Sequence, residues 1–187
     1  MDPLSQGLLG ACFSSSFAKK NNFKMAALCG TVGGITPDLD VFIKSETDPL
    51  LFLEYHRHFT HSLVFVPLGG LFVSLFLIIF LKNYSFKQIY LFSTLGFLTH
   101  GILDSCTSYG TNLFWPFSDT KIAWNIISIV DPIFTFILIF CMIFCFLYKS
   151  IKIIRFGTLL SFSYLIIGIF QYQNVKSYVY DLAKKRD

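Results

Sequence analysis

Charge is what this sequence has least of. Lys, Arg, Asp and Glu make up 14% of its 187 residues, against about a quarter in an ordinary soluble domain. Histidine is scarcer still, with four in the chain. The cysteines (Cys12, Cys29, Cys106, Cys141 and Cys145) include no C-x-x-C pair, and an odd number at scattered spacings excludes a disulfide framework. Cys141 and Cys145 share a helix face in a lipid-like run, where small apolar packing is the expected role. No basic patch reads as nucleic-acid binding, so no nucleic-acid partner is expected. The start, Met1-Asp2-Pro3-Leu4-Ser5-Gln6, lacks the basic stretch of a secretory signal peptide. There is no internal repeat and no low-complexity segment.

Hydrocarbon is what the chain has instead. Hydrophobic residues reach 54%, 23 of them Phe, and the mean hydropathy is +0.62. This composition predicts an all-α, polytopic membrane helix bundle with about four to six transmembrane or re-entrant helices. Residues 62–81, 126–148 and 156–172 are the strong spans. Residues 88–105 are apolar until His100 and Asp104, so that end is expected to face protein or water rather than lipid. Residues 4–18 and 23–36 are short and rich in small residues (Gly7, Gly10, Ala11, Ala26, Ala27, Gly30, Gly33, Gly34) that let helices approach closely. Lys19-Lys20-Asn21-Asn22 separates them. Residues 1–175 are read as a single membrane-embedded domain carrying the site, and 176–187 as a polar C-terminal tail of a short or truncated form.

Counting spans sorts the loops into two sides. The turns at 19–24, 82–87 and 149–155 fall together on one side. The N-terminus and the loops 37–60 and 106–125 fall on the other. The first side carries Lys19, Lys20, Lys24, Lys82, Lys87, Lys149, Lys152 and Arg155; the second carries Lys44, Arg57 and Lys121. The positive-inside rule then puts the first side in the cytoplasm and the second in the periplasm or exterior. Lys176, Lys184, Lys185 and Arg186 of the tail run against this assignment.

The scarce polar groups all fall on the second side. Pro37-Asp38-Leu39-Asp40 follows the second helix, His56-Arg57-His58-Phe59-Thr60-His61-Ser62 precedes the third, and His100-Gly101-Ile102-Leu103-Asp104 closes the fourth. Asp131 begins the fifth. Ionisable groups beside apolar spans are costly and by default mark a functional site. Imidazoles and carboxylates are the ligands of zinc, manganese and iron. His100 and Asp104, four apart on a helix, point the same way, as two ligands of one metal must; a capping Asp beside a core histidine is the plain alternative. His56 and His61 complete the expected ligand core. Each imidazole needs an acceptor for its second nitrogen, for which Asp38, Asp40 or Asp131 is available. Asp38 and Asp40 are two apart, so in an extended segment both face one side; they can ligate a second metal or orient histidines. Pro37 is expected to push Thr36 out of the helical region and end the second helix. Arg57 can hold a phosphate or pair with an Asp. His58 is an acid/base group or a side chain behind the ligands. Trp115 and Trp124 read as interfacial anchors, while the loop around 108–118 can also form a head-group pocket.

These stretches, together with Met1 to Gly10, Thr107-Ser108-Tyr109-Gly110, Trp115-Pro116-Phe117 and Asp131-Pro132, resemble the bacterial membrane-bound metal-dependent hydrolases of the YdjM-like family. The resemblance spans residues 1 to about 135 and implies an integral inner-membrane protein with a metal-hydrolase site. Two departures stand out: some relatives carry Thr-His where this chain has Ser5-Gln6, and longer ones continue past the last helix into a further polar region. The expected cofactor is a divalent ion, zinc first, with manganese or iron as alternatives. Asp38, Asp40, His56, His61, His100 and Asp104 are its candidate ligands, and Arg57 and His58 the candidate catalytic groups. Membrane lipids are the expected partners, and a lipid or lipid-linked phosphoester the expected substrate. The alternative is a non-enzymatic membrane protein, either a metal carrier or a structural or regulatory component.

Overall fold

The computed structural model describes residues 1–43, 45, 47–48 and 56–185. Lys44 and Arg186, used in the charge count above, lie outside them. Six α-helices form among the described residues: α1 (Pro3–Ser16), α2 (Phe23–Ile35), α3 (Val66–Leu77), α4 (Phe86–Ser105), α5 (Pro132–Tyr148) and α6 (Ile151–Lys184). Two 3-10 turns, Thr36–Phe42 and Phe59–His61, carry polar motifs. There is no β-strand among these residues, only a bridge between Thr111 and Ile122.

Local chemistry sets the helix starts. Asp2 caps α1 by accepting from the Ser5 N–H at 2.9 Å, with Pro3 in the first turn, where its missing N–H costs nothing. Asp131 and Pro132 do the same for α5, the Asp131 carboxylate accepting from the Phe134 N–H at 3.0 Å. Residues 126–130 of the span expected over 126–148 are therefore not helical. The helix expected over 62–81 is also shorter. Leu63 N–H bonds to the Leu113 carbonyl and Phe65 N–H to the Ser62 carbonyl, which holds 62–65 in a turn before Pro67. Among the described residues, only α6 is long and apolar enough to cross a membrane; α3 and α5 are shorter apolar helices. At 1.5 Å per residue its 34 residues reach about 51 Å, and residues 176–184 of the tail continue it as helix.

α1, α2 and α4 pack as a central trio, with α3 against α4 and the α5–α6 pair against α1. The small residues foreseen for the first two helices sit at these crossings. A Cβ on Gly30 would lie 2.2 Å from the Gly10 carbonyl oxygen, and one on Gly96 would lie 2.3 Å from the Gly30 oxygen. The core runs through Leu9, Cys12, Ala26, Cys29, Ile89, Phe97 and Leu103 to Phe134 and Leu138. The outer faces of α3, α5 and α6 leave Leu68, Phe72, Phe76, Phe136, Phe140, Phe156, Leu159, Ile166 and Phe170 exposed.

Candidate metal centre

Four polar atoms converge where α2 and α4 end. His61 Nε2 and His100 Nε2 stand 2.9 Å apart. Asp38 Oδ1 lies 3.6 Å from the first and 3.3 Å from the second; Asp104 Oδ2 lies 3.3 and 3.6 Å from them. His61, His100 and Asp104 are fully buried, while Asp38 keeps 24% of its side chain exposed. Ligands 2.0–2.1 Å from a tetrahedral ion stand about 3.3–3.4 Å apart; the imidazole–carboxylate separations of 3.3–3.6 Å bracket that spacing, and the two imidazoles at 2.9 Å stand closer.

The tautomers agree. His100 Nδ1 donates to the Gly34 carbonyl at 2.6 Å, so its Nε2 carries a lone pair. His61 Nδ1 lies 3.3 Å from Asp40 Oδ2 and 3.0 Å from the Thr60 hydroxyl, which leaves the Nε2 lone pair facing the same point. Two lone pairs facing each other repel unless a proton or a metal ion lies between them. Asp104 Oδ2, though buried, accepts no hydrogen bond. A divalent cation satisfies all of these atoms, so the donor set fits one.

Without a metal, the surrounding carboxylates favour a proton on His61 in the cation's place. Burial alone would lower the His61 pKa, but the carboxylates of Asp104, Asp38 and Asp40 outweigh it and raise the pKa to about 10. Burial alone would raise Asp38, yet His100 and His61 hold its carboxyl well below the usual range. Asp40 is held down likewise, against burial, by His56, His61 and the Arg57 N–H. The site draws positive charge toward itself.

Each element contributes for a local reason. α2 ends at Ile35, as expected, but Thr36 keeps helical angles (φ −57°, ψ −37°) and Pro37 enters the first turn of a 3-10 segment instead of an extended one. The segment is therefore not extended, and Asp38 and Asp40 meet opposite nitrogens of the His61 ring. Asp38 reaches the metal-binding atoms. Asp40 turns to His56 Nδ1 (2.8 Å), the Arg57 N–H (2.9 Å) and the Thr60 hydroxyl (2.9 Å). Gly101 makes room for His61, since a Cβ there would lie 2.2 Å from the His61 carbonyl oxygen.

Not every expected residue joins the four. His56 pairs with Asp40, its ring 6.3 Å from that of His61; it stands behind a ligand rather than among them. His58 packs against the half-buried Trp115, ring centroids 5.6 Å apart. Asp131, considered as an acceptor for a histidine, is occupied as the α5 cap and by the Tyr164 hydroxyl at 2.9 Å. Arg57 sits in the left-handed region (φ 62°), where a non-glycine residue is held only by its surroundings. Its Nε lies 3.2 Å from Asp104 Oδ2, and its guanidinium covers the Tyr109 ring at 4.5 Å. Gln6 was not foreseen as part of the site. Its amide donates to Asp104 Oδ1 at 2.9 Å from full burial, and the Met1 amine also contacts that oxygen. A lone amide in an apolar, small-residue helix was the signal available for Gln6.

Comparison with known proteins places these motifs in a wider group. The chain is 30% identical over 108 residues to the uncharacterized protein YfhP of Bacillus subtilis, covering 57% of this chain and 33% of that one. It is 37% identical over 82 residues to the inner membrane protein YbcI of Escherichia coli, covering 40% of this chain and 44% of that one. These matches thus span less than half the length of either relative. No solved structure matches significantly. The profile described as YdjM inner membrane protein matches residues 1–175, and the chain belongs to that family of bacterial inner membrane proteins.

Proposed function

We propose that this protein is a multi-pass metal-dependent hydrolase whose site lies at the periplasmic or outer face of the inner membrane. The single observation that carries this reading is the pair of imidazole lone pairs and two carboxylate oxygens aimed at one buried point. Asp38, His61, His100 and Asp104 would hold the ion; Asp40 and the Gly34 carbonyl orient the two imidazoles. A bound zinc-class ion supplies Lewis acidity and activates water near neutral pH. Arg57, at the edge of the cluster, stabilises developing negative charge on a phosphoryl or acyl oxygen.

A lipid or lipid-linked phosphoester suits the surroundings. Asp38 and Asp40 alternate with exposed Leu39 and Phe42. A groove of about 270 Å³ adjoins the cluster through Asp40 and Thr60, next to the ligands rather than lined by them, and continues along Phe65, Phe72 and Phe97, which gives apolar walls to the tail of a lipid bound there. The exposed faces of α3, α5 and α6 favour several helices in lipid, because apolar patches of that extent are not left in water. Detergent-solubilised protein screened against phospholipids, polyprenyl phosphates and simple phosphoesters should turn over one class, with activity lost on chelation and in His100→Ala. No turnover on any ester by fully metal-loaded protein would refute the reading.

The number of donors favours a second reading. Four protein ligands fill a tetrahedron, the habit of structural rather than catalytic zinc. Hydrolysis requires Asp38, the most exposed of the four, to yield its position to water or substrate. Asp38→Ala should keep its metal if the site is catalytic and lose both metal and thermal stability if it is structural.

A further inference from the structure

The end of the bundle opposite the metal cluster holds a site that the hydrolase reading does not use. The turn after α1 and the turn between α5 and α6 enclose a concavity of about 510 Å³ lined by Lys19, Lys20, Lys149, Lys152 and Arg155, with Tyr148 at its rim and no acidic residue. These side chains come from the turn after α1 and, about 130 residues later, from Lys149 and the first turns of α6, so the fold assembles the charge. α6 begins in the same concavity, and its N-cap Ser150 makes no side-chain cap, so the positive end of a long helix adds to the charge there.

A second feature joins it. An apolar groove of about 320 Å³ between α1 and α6 is lined by Phe13, Phe17, Thr158, Leu159 and Phe162, and it shares Arg155 with the basic concavity. Arg155 is fixed at the junction by donating from Nε to the Ser16 carbonyl at 2.9 Å. Cationic side chains at one end and a hydrocarbon wall leading away from them match a molecule with an anionic head and an alkyl tail. A soluble anion would leave the groove unused, and a neutral lipid would leave the cations unpaired.

We propose that this concavity and groove form a binding site for an anionic phospholipid, with its phosphate among Lys19, Lys20, Lys149, Lys152 and Arg155 and one acyl chain between α1 and α6. The ammonium and guanidinium groups provide charge-assisted hydrogen bonds to the phosphate oxygens, and the tail covers Phe13, Leu159 and Phe162.

The test is a binding titration of the full chain in nonionic detergent with phosphatidylglycerol, phosphatidylcholine and inorganic phosphate. Phosphatidylglycerol should bind at least tenfold more tightly than either of the others, and more weakly as salt is raised. Lys149→Gln/Lys152→Gln/Arg155→Gln should weaken it by about a hundredfold, roughly fivefold for each cation removed; Lys184→Gln/Lys185→Gln should change nothing. If the triple variant does not fold, Lys19→Gln/Lys20→Gln, in an exposed turn, carries the same test with about a 25-fold loss. Leu159→Gln should weaken phosphatidylglycerol without altering phosphate binding. Equal affinity for phosphatidylcholine, full competition by inorganic phosphate, or undiminished binding by the charge variants would each overturn the proposal.

Discussion

The two ends of this bundle handle charge in opposite ways. At one end, His61, His100 and Asp104 are fully buried, and their neighbours Asp40, Gln6 and the Gly34 carbonyl fix each orientation. At the other, Lys19, Lys20, Lys149, Lys152 and Arg155 are exposed around an open concavity. Buried groups act through position, because desolvated atoms within about 4 Å of one another interact strongly. Exposed cations act through their sum, because each is worth about 1 kcal/mol near an anionic surface and is screened by salt. Single substitutions should therefore be severe at the first end and graded at the second.

The largest effect should follow loss of a ligand. His100→Ala should reduce metal affinity by more than a hundredfold, as measured by metal content after dialysis, while removal of Lys19 and Lys20 should leave it unchanged. Retained metal in His100→Ala would erase the contrast between the ends. Asp40→Asn tests orientation without touching the ion and should cost about 10–100-fold in metal affinity; an unaltered affinity would mean that His61 is held by packing alone. Gly101→Ala forces a methyl group against the His61 carbonyl and should cost about 1–3 kcal/mol of stability, with metal loss beyond that of a comparable change at a basic-end residue.

A smaller effect should appear with pH in metal-free protein. The raised His61 pKa stabilises the fold below the ordinary value of 6.5, and that contribution is lost as pH rises toward about 10. The lowered pKa values of Asp38 and Asp40 stabilise the fold above the usual carboxylate range and are lost in acid. Metal-free protein should therefore unfold at its highest temperature between about pH 4 and 6.5. With metal bound, the alkaline decline should disappear, and the acid side should steepen as protons displace the ion. A metal-free midpoint that rises from pH 6.5 to 10 would contradict the arrangement around His61.

Orientation can be tested across the same two ends. Cys106 is buried, so a thiol reagent needs introduced sites. In a background free of other accessible thiols, Asp119→Cys should label in intact spheroplasts, and Asn83→Cys only after the membrane is opened. The reverse pattern would turn the site toward the cytoplasm.

Much of this was readable from the residues. Span counting alone brought Asp38, His61, His100 and Asp104 to one side, and the spacing of His100 and Asp104 put both on one helix face. The short glycine-rich helices were found nearly to the residue, because small residues and Lys19-Lys20 mark them clearly. What escaped was local geometry. A proline followed by a 3-10 turn and one followed by an extended segment look alike in sequence, so the divergence of Asp38 and Asp40 was hidden. Choosing between His56 and His61 depends on the Phe59–His61 turn and the left-handed Arg57, neither of which has a periodic signature. Gln6 matters only because α1 crosses α4 beside Asp104, a contact between residues 98 positions apart.

The central claim is that the four converging atoms bind one divalent ion. Elemental analysis of gently purified full-length protein, beside His61→Ala/Asp104→Ala prepared identically and verified as inserted, tests it directly. The account predicts about one zinc-class ion per chain in the parent and less than about a tenth of that in the double variant. Equal metal content in the two proteins, or none in the parent after growth and purification in added zinc, manganese and iron, would contradict it.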